Sequence, residues 1–154
     1  KNDYAEIGTE LEVVHHSEFI SELIKEGKIE PEASFDEDVT FHDACYVGRH
    51  HGEYDAPRDV LQSVLSENAT IKEMPRNKEE SFCCGAGGGN MWYEIKQGKR
   101  INVERFEEAI NTGVKKVATS CNFCMIMMED GRKVTGQDKN MEVYDIAELV
   151  AERI

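Results

Sequence analysis

Five cysteines, Cys45, the adjacent pair Cys83 and Cys84, and Cys121 with Cys124, form the pattern C-x37-C-C-x36-C-x2-C. Thiolates bind zinc and iron–sulfur clusters, attack disulfides and pair with one another, so the spacing has to choose among these chemistries. An odd count leaves one thiol over in any disulfide framework, and a chain of 154 residues buries a core without covalent staples. Exchange between Cys121 and Cys124 alone leaves Cys83 and Cys84 unexplained. Zinc takes four tetrahedral ligands, and the half-site opposite C-x2-C is not another C-x2-C. An iron–sulfur cluster accounts for more, because its several irons can be reached by neighbouring side chains that diverge. Five thiolates exceed the four corners of an ordinary cubane. A cluster with an extra ligand, or an open non-cubane form, would use them all.

The segment around the pair, residues 81–89, reads Ser-Phe-Cys-Cys-Gly-Ala-Gly-Gly-Gly and is neither a good helix nor a packed strand. Its glycines let the backbone turn with positive φ and aim N–H groups at an anion or a sulfur. It lacks the Lys-Ser/Thr ending of a phosphate loop and does not match G-x-G-x-x-G after a strand, which excludes nucleotide binding. Asn90, Met91 and Trp92 follow it and are expected to shield the site from water. His42, His50 and His51 flank Cys45; ligand and proton-donor roles are open to them, though polar loop residues are the commoner use. Tyr46 and Arg49 belong to the same loop, and Met125, Met127 and Met128 read as core filler.

The elements that must position these thiols follow from periodicity. Strands are expected at residues 12–16, 38–42, 69–74, 115–120 and 141–144. Helices are expected at 18–26, capped by Ser17 and ended by Gly27, and at 56–65 with Pro57 in the first turn. Met91, Trp92 and Ile95, then Val103, Phe106, Ala109 and Ile110, fit helix faces broken near Gly98 and closed by Gly113. Two more helices are expected at 121–130, stopping at Gly131, and at 146–154, capped by Asp145. Repeated βα units imply an α/β fold, a mostly parallel sheet flanked by helices. Ligands in such folds sit beyond the carboxyl ends of strands, so all five thiols should gather at that rim. In the first turn of the helix after Cys121, the C-x2-C step sets two sulfurs on one side near free N–H groups, which favours thiolate.

A net charge of −13 argues against nucleic acid as a partner. No apolar run approaches a membrane span, and the opening Lys1-Asn2-Asp3-Tyr4 lacks the apolar core of a secretory signal, so the expected location is cytoplasmic. The first residue is not Met, and the chain reads as a single domain over residues 1–154 excised from a longer polypeptide.

Cys45, Cys83-Cys84-Gly85 and Cys121-x2-Cys124 resemble the cysteine-rich CCG domain of heterodisulfide reductase catalytic subunits. Similar domains occur in iron–sulfur subunits of glycolate oxidase, lactate-utilisation and anaerobic glycerol-3-phosphate dehydrogenase systems. The likeness covers residues 39–126 and implies that Cys45, Cys83, Cys84, Cys121 and Cys124 all ligate a [4Fe-4S] centre. In heterodisulfide reductase that centre is non-cubane, and two fused cubane-like halves act in reductive cleavage of a disulfide. This chain holds one CCG motif where many relatives have two, and it lacks the C-x2-C-x2-C-x3-C-P run of a ferredoxin module. Both departures fit a C-terminal piece that is not active alone. The resemblance thus implies electrons from a ferredoxin-type or flavin domain or subunit, and a disulfide or organic acid as substrate. A structural zinc domain that docks a partner is the alternative.

Overall fold

Three four-residue strands, β1 (Val39–His42), β2 (Lys116–Thr119) and β3 (Glu142–Asp145), lie parallel in the order β1-β2-β3. The computed structural model describes residues 2–93 and 97–154; the expected helical role of Ile95 lies outside the described residues. Register pairs His42 with Thr119 and Thr119 with Asp145, so the three strands end level. The Thr119 hydroxyl fastens that edge by donating to the His42 carbonyl at 3.2 Å.

The described residues form six α-helices besides the sheet: α1 (Asn2–Glu6), α2 (His16–Lys25), α3 (Asp55–Val64), α4 (Ile101–Asn111), α5 (Asn122–Val134) and α6 (Ile146–Ala151). Alternation along each strand sends side chains to opposite faces. Val39, Phe41 and Ala118 join Val60, Leu61, Val64, Ile146 and Leu149 in one core, on the side of α3 and α6. Val117 and Val143 join Phe106, Ala109, Met127 and Met128 in a second core, on the side of α4 and α5, and this core contains Cys84 and Cys124. No helix among the described residues is long and apolar enough to cross a membrane.

The α/β class and parallel sheet agree with the sequence reading, and five expectations need correction. Residues 12–16 make no strand: Val13 and Val14 are exposed, and α2 begins at His16. His15, not Ser17, caps that helix, since the His15 ring accepts from the Ser17 N–H at 3.3 Å while Glu18 accepts from the His15 N–H at 3.0 Å. Residues 69–74 reach the sheet through a single bridge, Ile71 to Val39. Beyond it Pro75 has no N–H to donate to a ladder, and the Glu73 carboxylate accepts from Arg58 at 2.7 Å. Finally, α5 runs through Gly131 rather than stopping at it, and α6 ends at Ala151.

Candidate metal centre

Cys45 follows β1 by three residues and Cys121 follows β2 by two, so the level edge of the sheet delivers both to one rim. The third delivery is the Cys83 and Cys84 loop, which has no strand of its own and is tied in by polar contacts. Asp43 is buried and receives both terminal nitrogens of Arg58, at 2.8 and 3.0 Å, together with the Lys78 N–H at 2.8 Å. Lys78 takes a φ of 49°, the one positive φ at a described non-glycine residue, and this strained turn points its N–H at Asp43. The Ser81 hydroxyl then donates to the Asp43 carbonyl at 3.2 Å, and Arg49 of the Cys45 loop donates to the Ser81 carbonyl at 2.5 Å. Arg49 is therefore a strut between two cysteine loops.

Gly85 completes the placement. Its φ is +88°, and a Cβ there would meet the Ile101 Cβ at 3.0 Å and the Asn102 N at 3.3 Å. The loop thus rests directly on the first turn of α4, a closeness only glycine permits.

Four of the five sulfurs influence one another in a chain: Cys83 with Cys84, Cys84 with Cys124, and Cys124 with Cys121, the Cys84 and Cys124 sulfurs lying within 4.8 Å of each other. Cys84 and Cys124 are buried; Cys45, Cys83 and Cys121 are half-buried. Cys45 stands within electrostatic reach of Cys83. The backbone supplies donors as expected of the glycine loop, with the Gly85 N–H 3.3 Å from the Cys83 sulfur. At the N-terminus of α5 the Phe123 and Cys124 N–H groups face the Cys121 sulfur without closing a capping bond.

Protons in this group are shared unequally. Hydrogen bonds from Cys124 and then Cys83 push the Cys84 thiol far down despite burial. The bonds from Cys124 to Cys121 and Cys84, then burial, push Cys124 far up. Bonding to Cys84, then burial, pushes Cys83 up as well. The Cys124 bond lowers Cys121 to about 6, against the opposing effect of burial and with help from backbone N–H groups. Sulfurs this close cannot all ionise beside one another, whereas a bound cation would let every one of them do so. The donor set therefore suits an iron–sulfur group or zinc.

His42 is not the loop residue its neighbours in sequence suggest. It ends β1, is 1% exposed, and a ring nitrogen lies with the Cys84 and Cys124 sulfurs in a set whose atoms are all within 4.8 Å of one another. Burial first, aided by the nearby Arg105 charge, holds its imidazole below the ordinary range, against the opposing pull of the neighbouring Cys84 sulfur. Arg105 is fully buried and donates from Nε to the His42 Nδ1 at 2.9 Å. Its other nitrogens reach the Arg76 carbonyl at 2.8 Å, the Glu108 carboxylate and the Ser81 hydroxyl. Arg105 and Asp43 were invisible to a search for apolar periodicity. A signal existed for Arg105: Asn102, Arg105, Phe106 and Ala109 form the buried stripe of α4 at i, i+3, i+4 and i+7, with two polar members.

The remaining expectations divide. Met127 and Met128 are buried core residues, and Met91 packs against the cysteine-bearing core. Trp92 is 79% exposed, at the end of a 3-10 segment, Gly87–Trp92, that is kinked at Gly88 and Gly89, both at positive φ, instead of the expected α-helical face. Beside Cys121 opens a cavity of about 450 Å³ walled by Val13, Val14, His15, Tyr46, His51 and Phe123. Tyr46 thus lines a cleft; His50 instead stacks on Tyr46 with ring centres 4.8 Å apart.

Residues 39–129 match the sequence model of the CCG cysteine-rich domain family. The chain is 41% identical over 154 residues to the probable iron-sulfur-binding oxidoreductase FadF of Bacillus subtilis, covering all of this chain and 22% of that protein. It is 38% identical to the EtfAB:quinone oxidoreductase of Syntrophomonas wolfei, covering 97% of this chain and 22% of that protein. It is 41% identical to a subunit of the dihydromethanophenazine:CoB–CoM heterodisulfide reductase of Methanosarcina mazei, covering 96% of this chain and 36% of that protein. The chain therefore spans between 22% and 36% of the length of these relatives.

Proposed function

The chain belongs to the CCG cysteine-rich domain family, and on that premise we propose that it is the cluster-binding domain of a longer iron–sulfur oxidoreductase of the heterodisulfide reductase type. Cys45, Cys83, Cys84, Cys121 and Cys124 are its ligands, holding a [4Fe-4S] centre in an open, non-cubane form. The observation that supports this reading is the gathering of Cys83, Cys84, Cys124 and Cys121 at the carboxyl edge of the sheet, with the Cys84 and Cys124 sulfurs within 4.8 Å of each other. A bound cluster supplies one-electron steps between a donor and a substrate.

The chain's own residues prepare the place. Asp43, Arg49 and Ser81 lock two cysteine loops together, and backbone N–H groups offset the negative charge the sulfurs gather. The cavity beside Cys121 offers apolar walls to a disulfide or organic acid substrate. Electrons arrive from a ferredoxin-type or flavin domain or subunit.

Anaerobic reconstitution with iron and sulfide tests the reading. The protein should turn brown, bind iron and sulfide in equal amounts, and bleach on reduction; retention of one zinc and no iron overturns it. Zinc is the second reading because four neighbouring sulfurs are all that metal needs. Thiol titration of the metal-loaded protein separates the two: one reactive thiol favours zinc, and none favours five ligands.

A further inference from the structure

We infer that His42 is a hydrogen-bond donor to the metal centre and not one of its ligands, held in that role by Arg105. The inference rests on the cluster reading above and deepens it by assigning a residue that tunes the centre.

A guanidinium has only donors, so the Arg105 Nε–H at 2.9 Å obliges the His42 Nδ1 to present its lone pair. A neutral imidazole has one lone-pair nitrogen and one N–H. With Nδ1 committed as acceptor, Nε2 carries the hydrogen and has no lone pair left for a metal. Arg105 cannot swing away from this duty, because the Arg76 carbonyl, the Glu108 carboxylate and the Ser81 hydroxyl hold its other nitrogens. Nor can the ring turn over freely, since His42 is 1% exposed at the end of a strand whose four residues are all buried.

The Nε2 atom is buried and has no partner within hydrogen-bond distance among the described residues. A donor left unmet at that depth is destabilising, so its position calls for an acceptor. A ring nitrogen of His42 and the sulfurs of Cys84 and Cys124 lie within 4.8 Å of one another, and with Nδ1 turned to Arg105 the Nε2 side is the one left for them. A hydrogen bond to cluster sulfur or ligand thiolate strengthens as negative charge is added, so it favours the reduced state and raises the reduction potential.

The test uses the full chain, reconstituted anaerobically, with iron content and midpoint potential measured separately. His42→Leu should retain the wild-type iron content while its potential shifts to more negative values. His42→Gln, whose amide N–H reaches the Nε2 position, should return the potential toward that of the wild type. A folded His42→Leu protein that loses iron marks His42 as a ligand and overturns the inference; full iron with an unchanged potential overturns it equally. Should His42→Leu fail to fold, wild-type protein labelled with ¹⁵N-histidine decides. Electron spin echo spectra of the reduced centre should show a weak nitrogen coupling; a strong coupling from a directly bound nitrogen, or none, overturns the assignment. Wild-type protein that takes up no iron removes the cluster reading and this inference together, whereas the other failures remove this inference alone.

Discussion

Gly131 of α5 presses on Phe106 of α4 so closely that a Cβ at Gly131 would lie 2.8 Å from the Phe106 Cβ and 3.0 Å from the Asn102 carbonyl oxygen. Phe106 and Asn102 belong to the same buried stripe as Arg105, so this contact sets how near α4 stands to the cysteines.

Gly131→Ala therefore tests helix spacing. Within a helix the exchange ordinarily gains about 1 kcal/mol from propensity, while overpacking a tight core costs about 1–3 kcal/mol. One of the blocking atoms is backbone, which cannot rotate aside, so the loss should prevail. Urea unfolding of the metal-free protein is expected to show a lower midpoint for Gly131→Ala; a higher one sinks the argument.

Asp43→Ala removes the buried carboxylate that Arg58 and the Lys78 N–H share. Breaking a buried pair from one side typically costs about 3–5 kcal/mol, and Glu73 keeps partial hold of Arg58, which places the expected loss near the lower end. Chemical denaturation reads the loss, and iron uptake should fall with it because the Cys45 and Cys83 loops lose their common anchor.

Cys45→Ser separates five ligands from four. A changed visible spectrum and reduced iron content are expected after anaerobic reconstitution. If the variant matches the wild type in both, Cys45 is not a ligand and the centre rests on Cys83, Cys84, Cys121 and Cys124.

Cys121 gives the metal-free protein a pH signature. Its folded pKa of about 6 lies below the ordinary thiol value of 9.0, so its thiolate contributes stability present above pH 9.0 and lost as pH falls through about 6. Alkylation of Cys121, followed by peptide mass spectrometry, should accelerate through pH 6 and then level off. A rate still climbing steeply above pH 8 contradicts the lowered value.

Much of this was readable in the residues. Val39 to His42 and Lys116 to Thr119 are short apolar runs leading straight into cysteines, and a parallel sheet puts every such exit on one edge. The apolar stripes of α4 and α5 announced themselves by spacing. What stayed hidden was the choice of partner. Val13 and Val14 have strand-forming side chains but meet no ladder, and residues 69–74 keep a single bridge before Pro75. Gly131 looked like a stop signal because a glycine's local meaning is turn-making, while its actual use is closeness to a helix far off in sequence. His42 and Arg105 lie 63 positions apart and acquire their meaning only from each other.

The sheet divides the interior into two cores, and only one of them holds buried sulfur. The half built from Phe41, Leu61, Val64, Ile146 and Leu149 holds no cysteine. On the proposed reading a cluster would border one chamber only, so losing it would take no ligand away from the packing of the other.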